Sequence, residues 1–248
     1  MSIENHREEL DLEFERLRMS GRVARDPGGV GFDVESLPDF FNSVAHLWDA
    51  KFAADCARLH RETAKRIAPT KDPIRILDVG CGTGLELEAI FERAPNARVT
   101  AMDQAPRMLA EVKRKYAERM SQIELIEASC VDWPARLVGF DYVVSILCVH
   151  HFPPETKVGI YHSFRRALKP GGMYIEGDQM TRGAAGSEDH ELFERWIARL
   201  PGGRQGEWNF DVTLNAETNR RLLFDAGFSD IAGPWFVGDG AVMTATRS

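Results

Sequence analysis

Cysteine is scarce and scattered in this chain of 248 residues: Cys56, Cys81, Cys130 and Cys148 are all there is, and no two form a Cys-x-x-Cys pair. That argues against a zinc ribbon and against a disulfide framework, and no metal site is expected. Basic residues are in deficit, with 31 Lys and Arg against 38 Asp and Glu, a formal net charge of −7. Nucleic-acid binders more often carry a basic excess or stripe, so no nucleic-acid partner is expected. Long apolar runs are missing too, which excludes a bilayer-spanning helix. The opening stretch "MSIENHREELDLEFERLRMS" is charged and acidic, unlike a secretory signal. A cytoplasmic setting without a membrane partner is the expectation; the oligomeric state stays open between monomer and homodimer.

What is present is hydrophobic periodicity of two kinds. Leu10, Phe14 and Leu17 repeat at i, i+4 and i+7, which predicts an amphipathic helix over 3–19. "RDPGGVGFD" (25–33) reads as a loop, and a second helical block over about 37–68 carries Phe40, Phe41, Trp48 and Phe52. From there short apolar runs alternate with helical segments. The runs are 74–79, 97–102, 123–128, 141–147 and 172–178; the helices are 85–93, 105–120 and 155–168. Pro170-Gly171-Gly172 predicts a sharp stop before the fifth run. Such alternation implies a parallel sheet covered on both faces. An irregular insertion at about 180–214, with a short helix near 189–199, precedes a helix at 215–226 and two runs joined by "GDG", an antiparallel hairpin. The expected organisation is an N-terminal helical lid over 1–70 and an α/β domain over 71–248.

The first strand feeds "ILDVGCGTGL", with Gly80, Gly82 and Gly84 at alternate positions. Leu85 stands where a dinucleotide fingerprint needs its last glycine, and no Gly-Lys-Ser/Thr follows as a Walker loop would require. What remains is a bare main-chain turn able to approach a nucleoside without a pyrophosphate. Asp103 ends the second strand about 20 residues on, where a carboxylate accepts hydrogen bonds from both hydroxyls of a ribose.

"ILDVGCGTG", "VTAMDQAPRML", "FDYVVSILCVHHF", "SFRRALKPGGMYIEGD" and the tail "LLFDAGFSDI…AVMTATR" resemble, in order and spacing, the class I S-adenosylmethionine-dependent methyltransferases. The resemblance covers about 74–248. It implies a Rossmann-like fold, a mostly parallel seven-stranded sheet with a C-terminal antiparallel hairpin and helices on both faces. It also implies S-adenosylmethionine as cofactor, with S-adenosylhomocysteine as its product. By the same resemblance Asp78 and the loop Gly80, Cys81, Gly82 and Gly84 face the methionine portion, and Asp103 holds the ribose. Gln104 and Met108 lie by the adenine, and Ile146 supplies backbone near the sulfur. Where the family usually has an Asp-small pair after the third strand, this chain has Ser129-Cys130; the carboxylate contact is weakened or moves to Asp132. Trp48 and Lys51 are candidates to reach the cofactor carboxylate.

Displacement at a sulfonium asks mainly for alignment and exclusion of water, so no fixed triad is required. A base helps only where the acceptor must lose a proton, and His150 or His151, after the fourth strand, is the candidate. Glu176, Asp178 and Trp208 are candidates for substrate contact; Trp196 and Phe210 are further aromatics of the insertion. The expected activity is methyl transfer to the O or N atom of a small molecule. Two alternatives stand beside it. One is a synthase that modifies the cofactor itself, resembling the carboxy-S-adenosylmethionine synthases, although Leu222 occupies the place of their carboxylate-reading arginine, with Arg220 and Arg221 adjacent. The other is a non-catalytic binding partner or sensor.

Overall fold

Three helices open on proline within their first two positions: α2 (Leu37–Ala64), α4 (Pro106–Lys115) and α5 (Pro154–Ala167). The missing proline N–H costs nothing there, because first-turn N–H groups have no intrahelical acceptor, and the ring fixes a helical φ. In α6 (Ala216–Asp225) the cap is a side chain, Asn215, which accepts the Thr218 N–H at 2.8 Å. These are features of a computed structural model, which describes residues 3–17, 23–24, 34–182 and 207–248. The expected loop over 25–33, the short helix near 189–199 and Trp196 lie outside the described residues.

The strands are β1 (Val23–Ala24), β2 (Val34–Glu35), β3 (Arg75–Val79), β4 (Arg98–Asp103), β5 (Ile123–Glu127), β6 (Phe140–Ile146), β7 (Leu168–Thr181), β8 (Leu214–Asn215), β9 (Ser229–Val237) and β10 (Gly240–Thr246). β1 and β2 form a separate antiparallel pair. The main sheet runs β5-β4-β3-β6-β7-β10-β9, with the two-residue β8 alongside the end of β7. The first five are parallel, and β10 is antiparallel to both β7 and β9, which gives the expected hairpin. Strand order reverses between β4-β3 and β3-β6, and the carboxyl ends of β3 and β6 flank that crevice, where open α/β sheets bind ligands.

Side-chain alternation splits the core into two layers. Leu77, Val143, Tyr174 and Met243 face one side with Tyr161 and Phe164 of α5 and Leu223 of α6. Their chain neighbours Ile76, Val144, Ile175 and Val242 face the other. There they meet Ile90 and Phe91 of α3 (Leu87–Arg93), Val112 of α4 and Leu59 of α2. Both faces are apolar because both are covered, which is why these strands read as continuous hydrophobic runs.

Two boundaries differ from expectation. The segment 105–120 is broken: α4 ends at Lys115 and a 3-10 turn takes Ala117–Arg119. Pro170-Gly171-Gly172 is no stop, for β7 begins at Leu168. Between the pairs Phe140–Leu168 and Tyr142–Met173 four residues of β7 oppose one of β6, so the glycines form a bulge. Gly171 donates to the Arg247 carbonyl (2.7 Å) and Arg247 N–H to Gly172 (2.9 Å), so the bulge is stitched to the C-terminus.

The N-terminal helix α1 (Ile3–Leu17) lies on α2. Phe14 makes edge-to-face contacts with Phe40 and Phe52 at 5.9 and 5.5 Å between centroids. Lys51 is drawn into this cluster: its ammonium stands 4.4 Å over the Phe14 ring and 2.7 Å from Asp11. Farther inward, Asp49 of α2 accepts the Thr83 hydroxyl of the glycine turn and the Lys115 ammonium of α4, the latter at 2.6 Å.

Candidate functional site

The turn after β3 needs glycine three times over, with φ of +67° at Gly80, +50° at Gly82 and +73° at Gly84. A Cβ on Gly80 would overlap the Cys148 thiol at the end of β6, and one on Gly84 would stand 2.8 Å from Leu87 Cδ1. Around Gly82 nothing lies within 4 Å, so that backbone faces open space. The Gly80 and Cys81 N–H groups both donate to the Met102 carbonyl, at 2.8 and 3.1 Å, which fixes the turn on β4. One residue on, Asp103 accepts the Gly82 N–H at 2.9 Å and the Ala105 N–H at 2.8 Å. Burial pushes the Asp103 carboxyl up to about 6 against the pull of those two backbone bonds. The turn and the acid, paired in the sequence by spacing alone, are thus in direct contact.

A cleft enclosing about 780 Å³ of empty space, its open mouth included, lies over this turn. Gly80, Cys81, Gly82, Asp103, Gln104, Met108, Ser129, Cys130, Ile146 and His151 all line it, as does Trp48. Gly84 is one step back, its carbonyl accepting the Tyr116 hydroxyl at 2.8 Å. Asp78 lies beneath the wall, fully buried, and its Oδ2 has no hydrogen-bond partner. Glu86 is on the wall, and its buried Oε1 is likewise unpartnered. Burial first, and the Glu86 carboxylate second, hold Asp78 well above the usual carboxylate range. Two buried acids with orphaned oxygens fit a cationic hydrogen-bond donor such as an ammonium.

Sequence reasoning missed Glu86, because "LELEA" gives it the same look as the outer-face Glu88. It also missed His60, on the cleft wall 3.8 Å from Glu86, and Cys148, which sits against Gly80. Lys51, an expected partner for the cofactor carboxylate, is engaged by Asp11 and does not line the cleft. The carboxylate contact missing at Ser129 does not move to Asp132, which is exposed. Instead the Ser129 hydroxyl donates to Glu207 at 2.7 Å, a carboxylate from 78 positions away. The segment 207–212 is strapped across this side: Leu37 N–H donates to Glu207 carbonyl, Asn209 N–H to Glu35, and Val212 N–H to His150. Trp208 bridges to Ser36 within the strap and is buried, off the cleft wall.

The histidines stand on a 3-10 turn, Val149–His151, just past β6. His151 lines the cleft; His150 is buried beside it, the rings 4.1 Å apart. His150 Nδ1 lies 2.5 Å from Asp178 Oδ1, and its backbone N–H donates to Asp178 Oδ2 at 3.1 Å. On the far side Nε2 is 3.5 Å from Asp211 Oδ1, which is also 3.4 Å from His151 Nδ1. Burial alone would lower His150, but Asp178 and then Asp211 overturn it and push the imidazole up to about 9. Burial and the His150 charge drive His151 down to about 3. Asp178 is held below its usual value, His150 outweighing its burial, and Asp211 is lowered by its bond to His150. His150, His151 and Asp211 offer ligand atoms within 4.8 Å of one another, yet with His150 protonated they already form a balanced ion-pair cluster.

Glu176 and Asp178 do not reach the cleft. β7 continues past both to Thr181, so neither marks a solvent-facing strand end. Asp178 acts behind His150, whereas Glu176 is 0% exposed and accepts the Tyr161 hydroxyl at 3.0 Å. Burial, then Asp178, pushes Glu176 up to about 7.

A family model described as "Methyltransferase domain" matches residues 76–172. The chain is 33% identical over 204 residues to the demethylmenaquinone methyltransferase of Thermus thermophilus, covering 76% of this chain and 91% of that one. It is also 33% identical over 150 residues to the malonyl-[acyl-carrier protein] O-methyltransferase of Xylella fastidiosa, of which it spans only 48%, against 58% of its own length. Among solved structures, the DhpI complex with S-adenosylhomocysteine superposes with a TM-score of 0.65 at 19% identity, over 84% of this chain and 94% of that one. Human N-acetylserotonin methyltransferase in complex with S-adenosylmethionine gives 0.64 at 14%, over 96% and 66%. Turn, acid, cleft and relatives agree: the chain belongs to the class I S-adenosylmethionine-dependent methyltransferases.

Proposed function

We propose that the protein transfers the methyl group of S-adenosylmethionine to the oxygen of a hydroxylated small molecule bound beside His151. The observation that carries this reading is the histidine pair: His151 lines the cleft with the glycine turn and Asp103, and His150 stands buried behind it, clamped between Asp178 and Asp211. The cofactor supplies a methyl group made electrophilic by the sulfonium. Asp78 and Glu86, with their orphaned oxygens, hold its ammonium, and Asp103 holds the ribose. Gln104, Met108, Ser129 and Cys130 border the adenine, and Cys81, Gly84 and Ile146 shape the floor. Ionised Asp178 accepts from Nδ1–H of His150, which leaves Nε2 as the atom that takes a proton from the acceptor. Asp211 then stabilises the imidazolium. His151 stays neutral and forms wall rather than base.

The synthase alternative is not favoured. Arg220 spends its guanidinium on the Ile231 carbonyl, at 2.6 Å, and on that of Gly233, and Arg221 lines a separate groove. In this reading the N-terminal segment 1–70 acts as a lid, and among its described parts α2 lines the cleft through Leu37, Phe41, Trp48, Cys56 and His60. We place the protein in a reducing, cytoplasmic compartment, where its four cysteines remain the free thiols seen here; no described helix is long and apolar enough to cross a membrane. The test is turnover: incubation with methyl-labelled S-adenosylmethionine and a pool of hydroxylated metabolites yields S-adenosylhomocysteine and a labelled product. Cofactor binding without turnover on any acceptor points to a sensor, and cofactor consumed without S-adenosylhomocysteine points to the synthase.

A further inference from the structure

Behind the cleft wall, two imidazoles and one carboxylate bring their donor atoms together. His150 Nε2 and His151 Nδ1 lie 3.5 and 3.4 Å from the same oxygen, Asp211 Oδ1. The ligands of a tetrahedral ion with bonds of about 2.0–2.1 Å stand about 3.3 Å apart, so two of the three edges have close to the right length. The third, Nε2 to Nδ1, is within 4.8 Å. Closing it takes a turn of the His151 ring, whose buried Nδ1 has no hydrogen-bond partner to give up. A buried polar nitrogen left in that state is one that a ligand can satisfy.

The surroundings suit a cation. His150 gives its other nitrogen to Asp178, Nδ1 to Oδ1 at 2.5 Å, and its backbone N–H to Oδ2 at 3.1 Å. A carboxylate behind an imidazole fixes the tautomer that presents Nε2 as a lone pair, and it is the usual support of a metal-binding histidine. Asp178 and Asp211 together carry the two negative charges that a divalent ion neutralises. The imidazoles are buried, whereas the Asp211 side chain is 52% exposed on the strap, which gives an ion an entry path from solvent. Two nitrogens and one oxygen favour a borderline ion, since Mg2+ and Ca2+ prefer all-oxygen sets. The expectation of no metal site rests on cysteine spacing, which does not bear on two histidines and an aspartate.

We propose that His150 Nε2, His151 Nδ1 and Asp211 Oδ1 bind one divalent transition-metal ion of the zinc class, and that this ion shuts off methyl transfer. Binding stands on the geometry alone; its effect on turnover rests on the methyl-transfer reading above. The ion takes the Nε2 lone pair that would accept the acceptor's proton, and any proton already on Nε2 leaves to solvent as the metal–nitrogen bond forms. The same ion ties the strap, through Asp211, to the 3-10 turn after β6. The metal-free chain is then the active form.

The test titrates Zn2+ calorimetrically into full-length protein first stripped of metal with a chelator. One equivalent is expected to bind, and a large excess of Mg2+ should not displace it. Asp211→Asn keeps the shape and loses the charge, so it should weaken Zn2+ by roughly tenfold or more; His151→Gln is the second variant should the first fail to fold. Co2+ in place of Zn2+ reports the ligands through its absorption spectrum, which matters because all four free thiols line the neighbouring cleft. Thiolate-to-metal charge transfer in that spectrum, or equal Zn2+ affinity in Asp211→Asn, overturns the site. Saturating Zn2+ should also lower turnover by roughly a hundredfold, the low end of what a general base contributes, and a chelator should restore it. Zn2+ held by these residues with turnover unchanged overturns the shut-off and removes His150 from the proton transfer. Metal-free protein that turns over no acceptor brings down the methyl-transfer reading and leaves the Zn2+ titration standing.

Discussion

At the scale of single residues, His150 sets the pH behaviour. On the proposed reading its neutral form is the base, and with the group pushed up to about 9 most molecules are protonated at neutrality. kcat/KM on a hydroxylated acceptor should therefore rise with pH and level off near that value. Asp211→Asn removes a negative charge that favours the imidazolium, so His150 falls and the rise moves to lower pH. An unmoved pH–rate profile in this variant would separate Asp211 from the proton transfer. Asp103 is tested in binding rather than rate. Asp103→Ala strands the Gly82 and Ala105 N–H groups and loses the proposed ribose acceptor, which should weaken cofactor binding by about 1–3 kcal/mol, or roughly 5- to 160-fold, by titration calorimetry. These two residues were readable in advance for opposite reasons. Asp103 sits at a fixed spacing from a glycine motif. His150 was one of a pair, and only the fold shows which imidazole has the carboxylates. Asp178 and Asp211 belong to it by tertiary contact, across 28 and 61 positions (178−150 and 211−150), and nothing local announces that.

At the scale of elements, the turn after β3 carries the sharpest expectation. Gly80→Ala puts a Cβ into the Cys148 thiol and forces an L-residue to φ +67°. It should cost about 1–3 kcal/mol of stability in urea denaturation, within the usual span for a strained or overpacked site. Adding Cys148→Ala removes the thiol but leaves the 2.8 Å approach to its Cβ and the backbone strain, so only part of the loss returns; no recovery would mean the thiol is not the cause. Gly82 differs, since its Cβ would enter open cleft, so Gly82→Val should act on cofactor affinity more than on stability. The strands were legible because both faces of the sheet are covered and the runs are apolar throughout. β7 was the exception. Its proline and two glycines mimic a terminator, and only pairing with β6 and the bond to Arg247 shows a bulge inside a longer strand. The strap 207–212 was illegible for a deeper reason: its order comes from bonds to Glu35, Leu37, Ser129 and His150, none of them near in sequence.

At the scale of the molecule, cofactor binding and folding are one equilibrium. A ligand that binds only the folded chain, at 100 times its dissociation constant, stabilises it by about 2.7 kcal/mol. For a domain of this size that is a melting-temperature rise of roughly 5–11 °C. S-adenosylhomocysteine should produce this in a thermal scan, and at the same concentration Asp103→Ala should lose about a third of the shift or more. The helix roofing the site adds a consequence of its own. Asp49 grips Thr83 on one side and Lys115 on the other, near the midpoint of α2. Leu37 and Phe41 lie to one side of that staple, Cys56 and His60 to the other. Peeling the whole helix away would break both bonds at once, whereas opening one half would leave them in place. Halves anchored at that point predict that methylated product leaves before the spent nucleoside, and the pattern of product inhibition checks that order of exit.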